Sequence, residues 1–371
     1  MNTNDKEFCR RIEKIIFIDP GKRGIEQCFI YDSLYRAAEG ILKCDKKKIS
    51  YLLTGFCCMH DTCETDGPLG SSVLCSLLRA MGFNTSILCD TFAEKVTKAA
   101  AFPNPVTVAN SIEEIDNDIS FAISIERPGR AEKTNDYRTM KARDISKVTA
   151  PLDFLFPNVK DKKIKPYLTI SVGDGGNEVG TGNIIDLIKK NVPLGDSICT
   201  ISSCDILIMA GVSNWGGVGI AAALSILAND EKIARTFIDI MSTQKEILKR
   251  MIDNGSYDGV SGDYINAIDG MMFEKEHEDV NNKIIEIIKE KKKIENVQVK
   301  IELKIQSMLK LRDNNVMIRT NKGLYHLNTD DYTVKPLYKV EKDEDIKMIK
   351  RWGRRCFIIV NNGGKISVFN Y

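Results

Sequence analysis

The chain has 371 residues, of which 43% are hydrophobic and 28% charged, a composition that supports a sizeable core in two or three domains and excludes bulk disorder. A formal net charge of +2 provides no global field to gather nucleic acid. No apolar run reaches the length of a bilayer span, and the mixed-charge start MNTNDKEFCRRIEKIIFID reads as neither a signal peptide nor a transit peptide, so the cytoplasm is the expected location.

In chain order, apolar spacing predicts a helix over 6–16, the loop DPGKRG, and a second helix over 25–42. Short apolar runs then alternate with helical stretches. KISYLLTG reads as a strand before a helix over 69–81, and TSILCD as a strand before a helix over 92–101. ISFAISI, YLTISVG and DILIMAG are further strands, with helices over 183–190 and 218–228 following the last two. Near-continuous apolar strands separated by helices predict an α/β fold, with a mostly parallel sheet and helices on both its faces. After about residue 279 comes a charged amphipathic helix, and VMIRTNKGLYHL and RRCFIIVNNGGKISVFNY then read as β-hairpins. The expected organisation is an α/β domain over 1–290 and a small β-rich module over 291–371, the latter without a nucleic-acid signature.

Several of the 11 cysteines sit in apolar runs, as Cys75 and Cys89 do, and read as small core residues. Cys57, Cys58, His60 and Cys63 are the one grouping that suggests a metal. They lack the second ligand pair of a structural zinc site, which favours a cysteine-rich loop.

In a sheet of this kind ligands bind outside the carboxyl ends of the strands. KISYLLTG runs into CETDGPLG, ISFAISI into ERPGR, YLTISVG into GDGGNEVG, and DILIMAG into VSNWGG, so one shared site is expected. Arg127 and Arg130 of ERPGR offer planar forks for a carboxylate or phosphate, although a surface turn paired internally to Glu126 would read the same way. In the third loop, Gly175 and Gly176 let backbone N–H groups approach an anion, while Asp174, Asn177 and Glu178 suit acid–base work or a hard cation. This loop is neither a Walker loop nor a GxGxxG turn. Glu64 and Asp66 precede a helix whose positive end favours carboxylates, Asp66 also being a candidate cap. Asn214 suits the orientation of an amine or carboxyl, with Trp215 as a wall, and both Ser213 and Asn214 are candidate caps. Ser213 has neither a GxSxG frame nor a neighbouring histidine. His60, His277 and His326 all lie outside the four loops. Carboxylates, Asn side chains and backbone N–H groups are therefore expected to carry the chemistry.

The ordered set DPGKRG, TGF, ETDGPLG, ERPGR, ARDIS, TAPLD, GDGGNEVGTGN, GVSNWGG, DGVSG and IDG, from about Asp19 to Gly270, resembles the D-glutamate cyclase family. That family is known in mammals for a mitochondrial enzyme that turns D-glutamate into 5-oxo-D-proline. Ala142 in ARDIS stands where the resemblance leads one to expect glycine. The resemblance implies a lyase that closes D-glutamate, its small-molecule substrate, onto itself with loss of water. It also makes the mitochondrion the alternative location. No organic cofactor, nucleic acid or membrane partner is expected, and a homo-oligomer is compatible with the sequence. For this chemistry the expected catalytic residues are Asp174, Glu178 and Asn177. The expected substrate contacts are Arg127, Arg130, Gly175, Gly176, Asn214, Trp215 and Glu64. Asp66, Asp174 and Glu178 are the expected ligands should Mg²⁺ or Mn²⁺ polarise the γ-carboxyl. The alternatives are a hydrolase or ligase acting on another small amino or hydroxy acid, or a metal-dependent anion-binding protein without turnover.

Overall fold

Every residue of the strand Ile119–Ile125 is buried, which requires a sheet covered on both faces. The computed structural model describes residues 3–161, 164–228 and 230–292, together with strand segments between 305 and 370. The chain divides into two units, Met1–Ile294 and Glu295–Tyr371. The first contains α1 (Thr3–Ile16), α2 (Ser33–Leu42), β1 (Ile49–Thr54), α3 (Pro68–Ala80), β2 (Thr85–Cys89), α4 (Glu94–Ala101), β3 (Val106–Val108) and β4 (Ile119–Ile125). It continues with β5 (Leu168–Gly173), α5 (Ile185–Asn191), α6 (Gly195–Ile198), β6 (Ile206–Met209), α7 (Ser213–Leu227), α8 (Glu231–Met241) and α9 (Gln244–Asp253). The short pair β7 (Ala267–Ile268) and β8 (Met271–Met272) and the helix α10 (Glu278–Lys292) complete it.

The six strands β1 to β6 form one parallel sheet in the order 3-2-1-4-5-6. Period-two alternation sends neighbouring residues into different cores. Leu52, Phe121, Ile123, Ile170 and Ile208 face a layer formed by α1 to α4 and α7 to α10. Leu53, Leu88, Ala122, Leu207 and Met209 face the other side, where α5, α6 and short 3₁₀ turns at Ile25–Cys28 and Leu152–Leu155 cover the sheet. Helices thus lie on both faces, with most of them on one.

In this strand order the direction of winding reverses between β1 and β4, the place where an open parallel sheet leaves a crevice at its carboxyl edge. Register brings the strand ends level there: Thr54 pairs with Ile125, Ile125 with Val172, and Gly173 with Met209. Glu126 and Asp174, the next residues, therefore leave the sheet side by side.

The helix α7 is buried all round, as an apolar central helix must be. It starts at Ser213 and not near Val218, because the carboxylate of Asp66 accepts hydrogen bonds from Ser213 N (3.0 Å) and Asn214 N (2.7 Å). Its cap thus comes from a different loop. The helix expected over 25–42 is a 3₁₀ turn and then α2, broken where Asp32 adopts a left-handed φ of 68°. Glu13 from α1 accepts from Asp32 N and Leu34 N and so starts α2 across the interface. Two helices that the pattern does not predict, α8 and α9, follow α7.

In the second unit β9 (Ile305–Lys310), β10 (Asn315–Thr320), β11 (Gly323–Asn328) and β12 (Val334–Lys339) form a four-stranded antiparallel sheet. A three-stranded one contains β13 (Ile346–Trp352), β14 (Cys356–Asn361) and β15 (Ile366–Asn370). The β10–β11 and β14–β15 pairs are the two hairpins expected from the sequence. Among the described residues no helix is long and apolar enough to cross a membrane.

Each unit contains complete sheets of its own, so a chain ending at Ile294 is expected to remain soluble and to unfold in a single cooperative thermal transition. Insolubility, or loss of the transition by circular dichroism, would show that the second unit completes the first.

Candidate active site

The four loops meet at the carboxyl edge of the sheet. ERPGR runs against GDGGNEV, with Gly129 N donating to Asn177 O (2.9 Å) and Val179 N to Arg127 O (2.8 Å). Beside them opens a cavity of about 370 Å³, within the usual size range of small-molecule sites. Glu64, Glu126, Asp174, Glu178 and Asp269 line it, together with Arg23. Asp66 lies directly behind, with a carboxylate oxygen within 4.8 Å of one from Asp174 and one from Asp269. Five of these six carboxyls are buried and Asp269 is half-buried.

Arg23 comes from DPGKRG. The carboxylate of Asp19 shapes that loop by accepting from Arg23 N (2.8 Å) and Gly24 N (2.7 Å). The Arg23 guanidinium then bridges two carboxylates, with Nη1 at 2.6 Å from Asp174 Oδ1 and Nη2 at 2.5 Å from Asp269 Oδ1. At the start of α7, Ser213 N donates to both Asp66 Oδ2 (3.0 Å) and Asp174 Oδ2 (3.1 Å). The Ser213 hydroxyl donates to Glu126 Oε2 (2.5 Å). A helix N-terminus thus faces three acids, as its dipole favours. Glu178 is held by its own loop, its two oxygens accepting from Gly175 N (2.8 Å) and Gly176 N (2.7 Å). Glu64 accepts from Cys58 Sγ (3.2 Å). Glu126 and Asp269 have left-handed φ values of 49° and 58°, backbone strain of the kind that surrounding structure must impose.

Burial pushes all six carboxyls upward, and their mutual repulsion adds to it at most of them. Glu64 is raised to about 8, by burial first and then by Asp269. Asp269 is raised to about 7, by burial and then by Asp174. Asp66 and Glu126 are held well above the carboxylate range, by burial and then by Asp174. Asp174 is also raised by burial, but Arg23 opposes the shift. Burial likewise raises Glu178 and the N–H of Gly176 opposes it. The proton affinities around the cavity are therefore raised, and unequally opposed by Arg23 and by backbone N–H groups.

Two oxygen triads are close enough to hold a cation, Asp66–Asp174–Asp269 and Glu126–Asp174–Glu178. The all-oxygen donor set fits a hard divalent ion such as Mg²⁺ or Mn²⁺. The expected trio of Asp66, Asp174 and Glu178 is regrouped, with Asp174 common to both triads and Asp66 and Glu178 in separate ones. Cys57 and Cys63 are buried, the latter's Sγ directed to Ala93 O, and the ten cysteines of the first unit are free.

Several expected substrate contacts have other partners. Arg127 is 1% exposed. Its Nη2 reaches Asp90 Oδ2 (2.7 Å) and Ala150 O (2.6 Å), and its Nη1 reaches Gly55 O (3.1 Å). Arg130 binds Asp153 Oδ2 (2.8 Å) and lies over the Phe154 ring at 3.8 Å. Neither lines the cavity. The N–H groups of Gly175 and Gly176 are aimed at Glu178, so they hold that carboxylate and do not form a nest for a substrate oxyanion. Asn214 fastens the ETDGP loop, its Oδ1 accepting from Gly67 N (3.0 Å) and Gly70 N (2.7 Å) and its Nδ2 donating to Thr65 O (3.1 Å). Trp215 is buried and donates from Nε1 to His277 Nδ1 (2.9 Å), which makes it a packing residue and not a cavity wall. Of the expected contacts, Asp174, Asn177, Glu178 and Glu64 do line the cavity. Arg23, Glu126, Asp269, Lys141 and Arg143 line it without having been assigned from sequence. All five lie in or beside the segments DPGKRG, ERPGR, IDG and ARDIS, so the signal was the motif and the side chain within it was not resolved.

Two outcomes follow. Arg127→Ala should lower unfolding stability by about 3–5 kcal/mol in chemical denaturation, because Asp90 is left buried and unpaired. A change confined to substrate affinity would restore Arg127 to the cavity. With chelator present, thermal stability should fall as pH rises from about 4.5 to about 8, because the folded chain binds the Glu64 proton more tightly than the unfolded chain does. Glu64→Gln should flatten that slope, and an unchanged slope would remove Glu64 from the linkage.

The family described as D-glutamate cyclase-like, C-terminal, matches residues 12–285. Human mitochondrial D-glutamate cyclase is 28% identical over 323 residues, which cover 75% of this chain and 51% of that protein. The chain thus spans about half the length of this curated relative. With the motifs, the parallel sheet and a match over most of its first unit, the chain belongs to the D-glutamate cyclase-like family.

Proposed function

We propose that the cavity binds D-glutamate and closes it into 5-oxo-D-proline with release of water. The observation that carries this reading is the gathering of six carboxyls, with raised and unequal proton affinities, around one guanidinium. Family membership and the name of the human relative support the same chemistry.

Ring closure has three requirements. The substrate ammonium must lose a proton, the γ-carboxyl must be neutral to act as an electrophile, and the departing hydroxyl must gain a proton. Among the six acids, Asp174 is the best suited to remain ionised, because Arg23 and Ser213 N both stabilise its charge. It is the assigned base. Glu64, raised to about 8, is protonated at neutral pH and can supply a proton. A crowded acidic cavity also disfavours an ionised substrate γ-carboxylate, which keeps that group in its reactive form.

The ammonium first gives one proton to the γ-carboxylate, which leaves a free amine beside a neutral γ-carboxyl; the nitrogen lone pair then attacks the γ-carbon while a second proton passes from nitrogen to Asp174. As the tetrahedral centre collapses, the C–O bond breaks and the proton from Glu64 leaves with the hydroxyl as water. Transfer of the proton from Asp174 back to Glu64 resets the site, and the balance is D-glutamate to 5-oxo-D-proline plus water. Glu126, Asp174 and Glu178, or Asp66, Asp174 and Asp269, would hold Mg²⁺ or Mn²⁺, which would supply polarisation of the γ-carboxyl. Asn177 lines the cavity with a buried Oδ1 that has no partner among the described residues and can accept from the substrate amine.

Incubation of the purified chain with D- and L-glutamate, with Mg²⁺, with Mn²⁺ and with chelator, should yield 5-oxoproline from the D-enantiomer. Asp174→Asn should lower kcat by about 10² or more, the scale of a general-base contribution, with little change in KM. Glu178→Gln should also lower kcat. No product from either enantiomer under all three conditions would sink the reading, and a fully active Asp174→Asn variant would sink the choice of base.

A further inference from the structure

An acidic amino acid brings a permanent α-carboxylate into a cavity already crowded with acids, and the arginines expected to receive it are occupied elsewhere. Three cationic side chains line the cavity: Arg23, Lys141 and Arg143. Arg23 is committed to Asp174 and Asp269. Lys141 and Arg143 are exposed, and among the described residues neither side chain has a hydrogen-bond or ion-pair partner.

The turn that carries them is well fixed. Thr139 Oγ1 accepts from Lys141 N and Arg143 N (both 3.3 Å), and Ala142 N donates to Thr139 O (2.8 Å). Ala142 adopts a left-handed φ of 57°, which accounts for the glycine expected there, and Arg138 Nη1 secures its carbonyl at 3.0 Å. The turn is docked on the loop of the proposed base. Asn177 Nδ2 donates to Arg138 O (2.8 Å), and Met140 packs so close to Gly175 that a Cβ there would lie 2.4 Å from Met140 Sδ. Two unpaired cations are thus presented at one wall of the cavity, beside the loop that carries Asp174, Asn177 and Glu178.

We propose that the Thr139–Arg143 turn anchors the α-carboxylate of the substrate, with Arg143 as the fork and Lys141 as a second charge. The proposal deepens the reading of the cavity as an amino-acid site and rests on it. The cations bind one end of the zwitterion and the acids receive its amine and its neutral γ-carboxyl. Asn177 Oδ1 lies next to the turn as an acceptor for the amine borne on the same carbon. Selectivity for an α-carboxylate over an α-amide would then originate in this turn.

Kinetics of the full chain with D-glutamate and with D-isoglutamine, which has an α-carboxamide in place of the α-carboxylate, test the assignment. Arg143→Ala should raise KM for D-glutamate about tenfold or more with kcat little changed, as expected for a charge-assisted contact present in both ground and transition states. Lys141→Ala should do the same to a smaller degree, and Arg143→Lys should restore part of the loss. The preference of the parent for D-glutamate over D-isoglutamine should collapse in Arg143→Ala, an effect that a merely structural role would not produce. A parental KM and an intact preference in the Arg143→Ala variant would overturn the anchor. Calorimetric titration of D-glutamate separates this assignment from the cyclase reading. Arg143-dependent binding without any product sinks the cyclisation and keeps the anchor, whereas no binding to the parent chain overturns both.

Discussion

Six carboxyls share a small buried volume with one guanidinium, and the first unit is arranged so that this crowding is tolerated. Arg23 offsets part of the charge by bridging Asp174 and Asp269. Most of the remainder is met by N–H groups: two at the start of α7 for Asp66, and two in the GDGGNE loop for Glu178. Fixed backbone dipoles are suited to this, because they bring no counter-charge that would neutralise the acids outright. The raised proton affinities are what remains unoffset, and that residue of repulsion is the chemical resource of the site.

The elements that form the site are distant in the chain. The Arg23–Asp269 pair links residues 246 apart, and Arg23 also reaches Asp174, 151 residues away. The guanidinium therefore joins the segment before the sheet, the end of β5 and the turn between β7 and β8. Such contacts bear the full cost of loop closure and form only when the sheet already fixes their ends. The left-handed backbone at Glu126 and Asp269 has the same origin, a conformation imposed by surroundings and not by local preference.

Much of this was legible in the sequence at the level of segments. Apolar runs at strand length located five of the six strands of the parallel sheet, and the polar glycine-rich loops after four of them do converge. The three residues of β3, none of them fully buried, are too few to register as a run. Legibility failed where an answer depended on a neighbour. ERPGR places Glu126 and Arg127 on adjacent residues, and the left-handed φ of 49° at Glu126, which local sequence does not dictate, helps to send their side chains to different surroundings. The sequence could not show which side was the cavity. Asp90, at the end of β2, decides it by taking Arg127 into the interior. The starts of α2 and α7 were obscured in the same way, because Glu13 and Asp66 cap them from other segments.

Arg127 and Arg23 show why residue type alone is a poor guide to role. Both are arginines in glycine-containing loops at the carboxyl edge of the sheet, and both pair with aspartates. Arg127 is enclosed, with the carbonyls of Gly55 and Ala150 accepting from its two terminal nitrogens, so it can stabilise the strand ends but cannot meet a ligand. Arg23 keeps some exposure and touches two acids that line the cavity, so any proton or cation that changes their charge changes its balance as well. Lys141 and Arg143 complete the series, since they line the cavity with no protein partner among the described residues. Distance from the cavity and the number of donors already satisfied, more than the identity of the side chain, separate a cation that supports the fold from one that sets the proton affinities and one still available to a substrate.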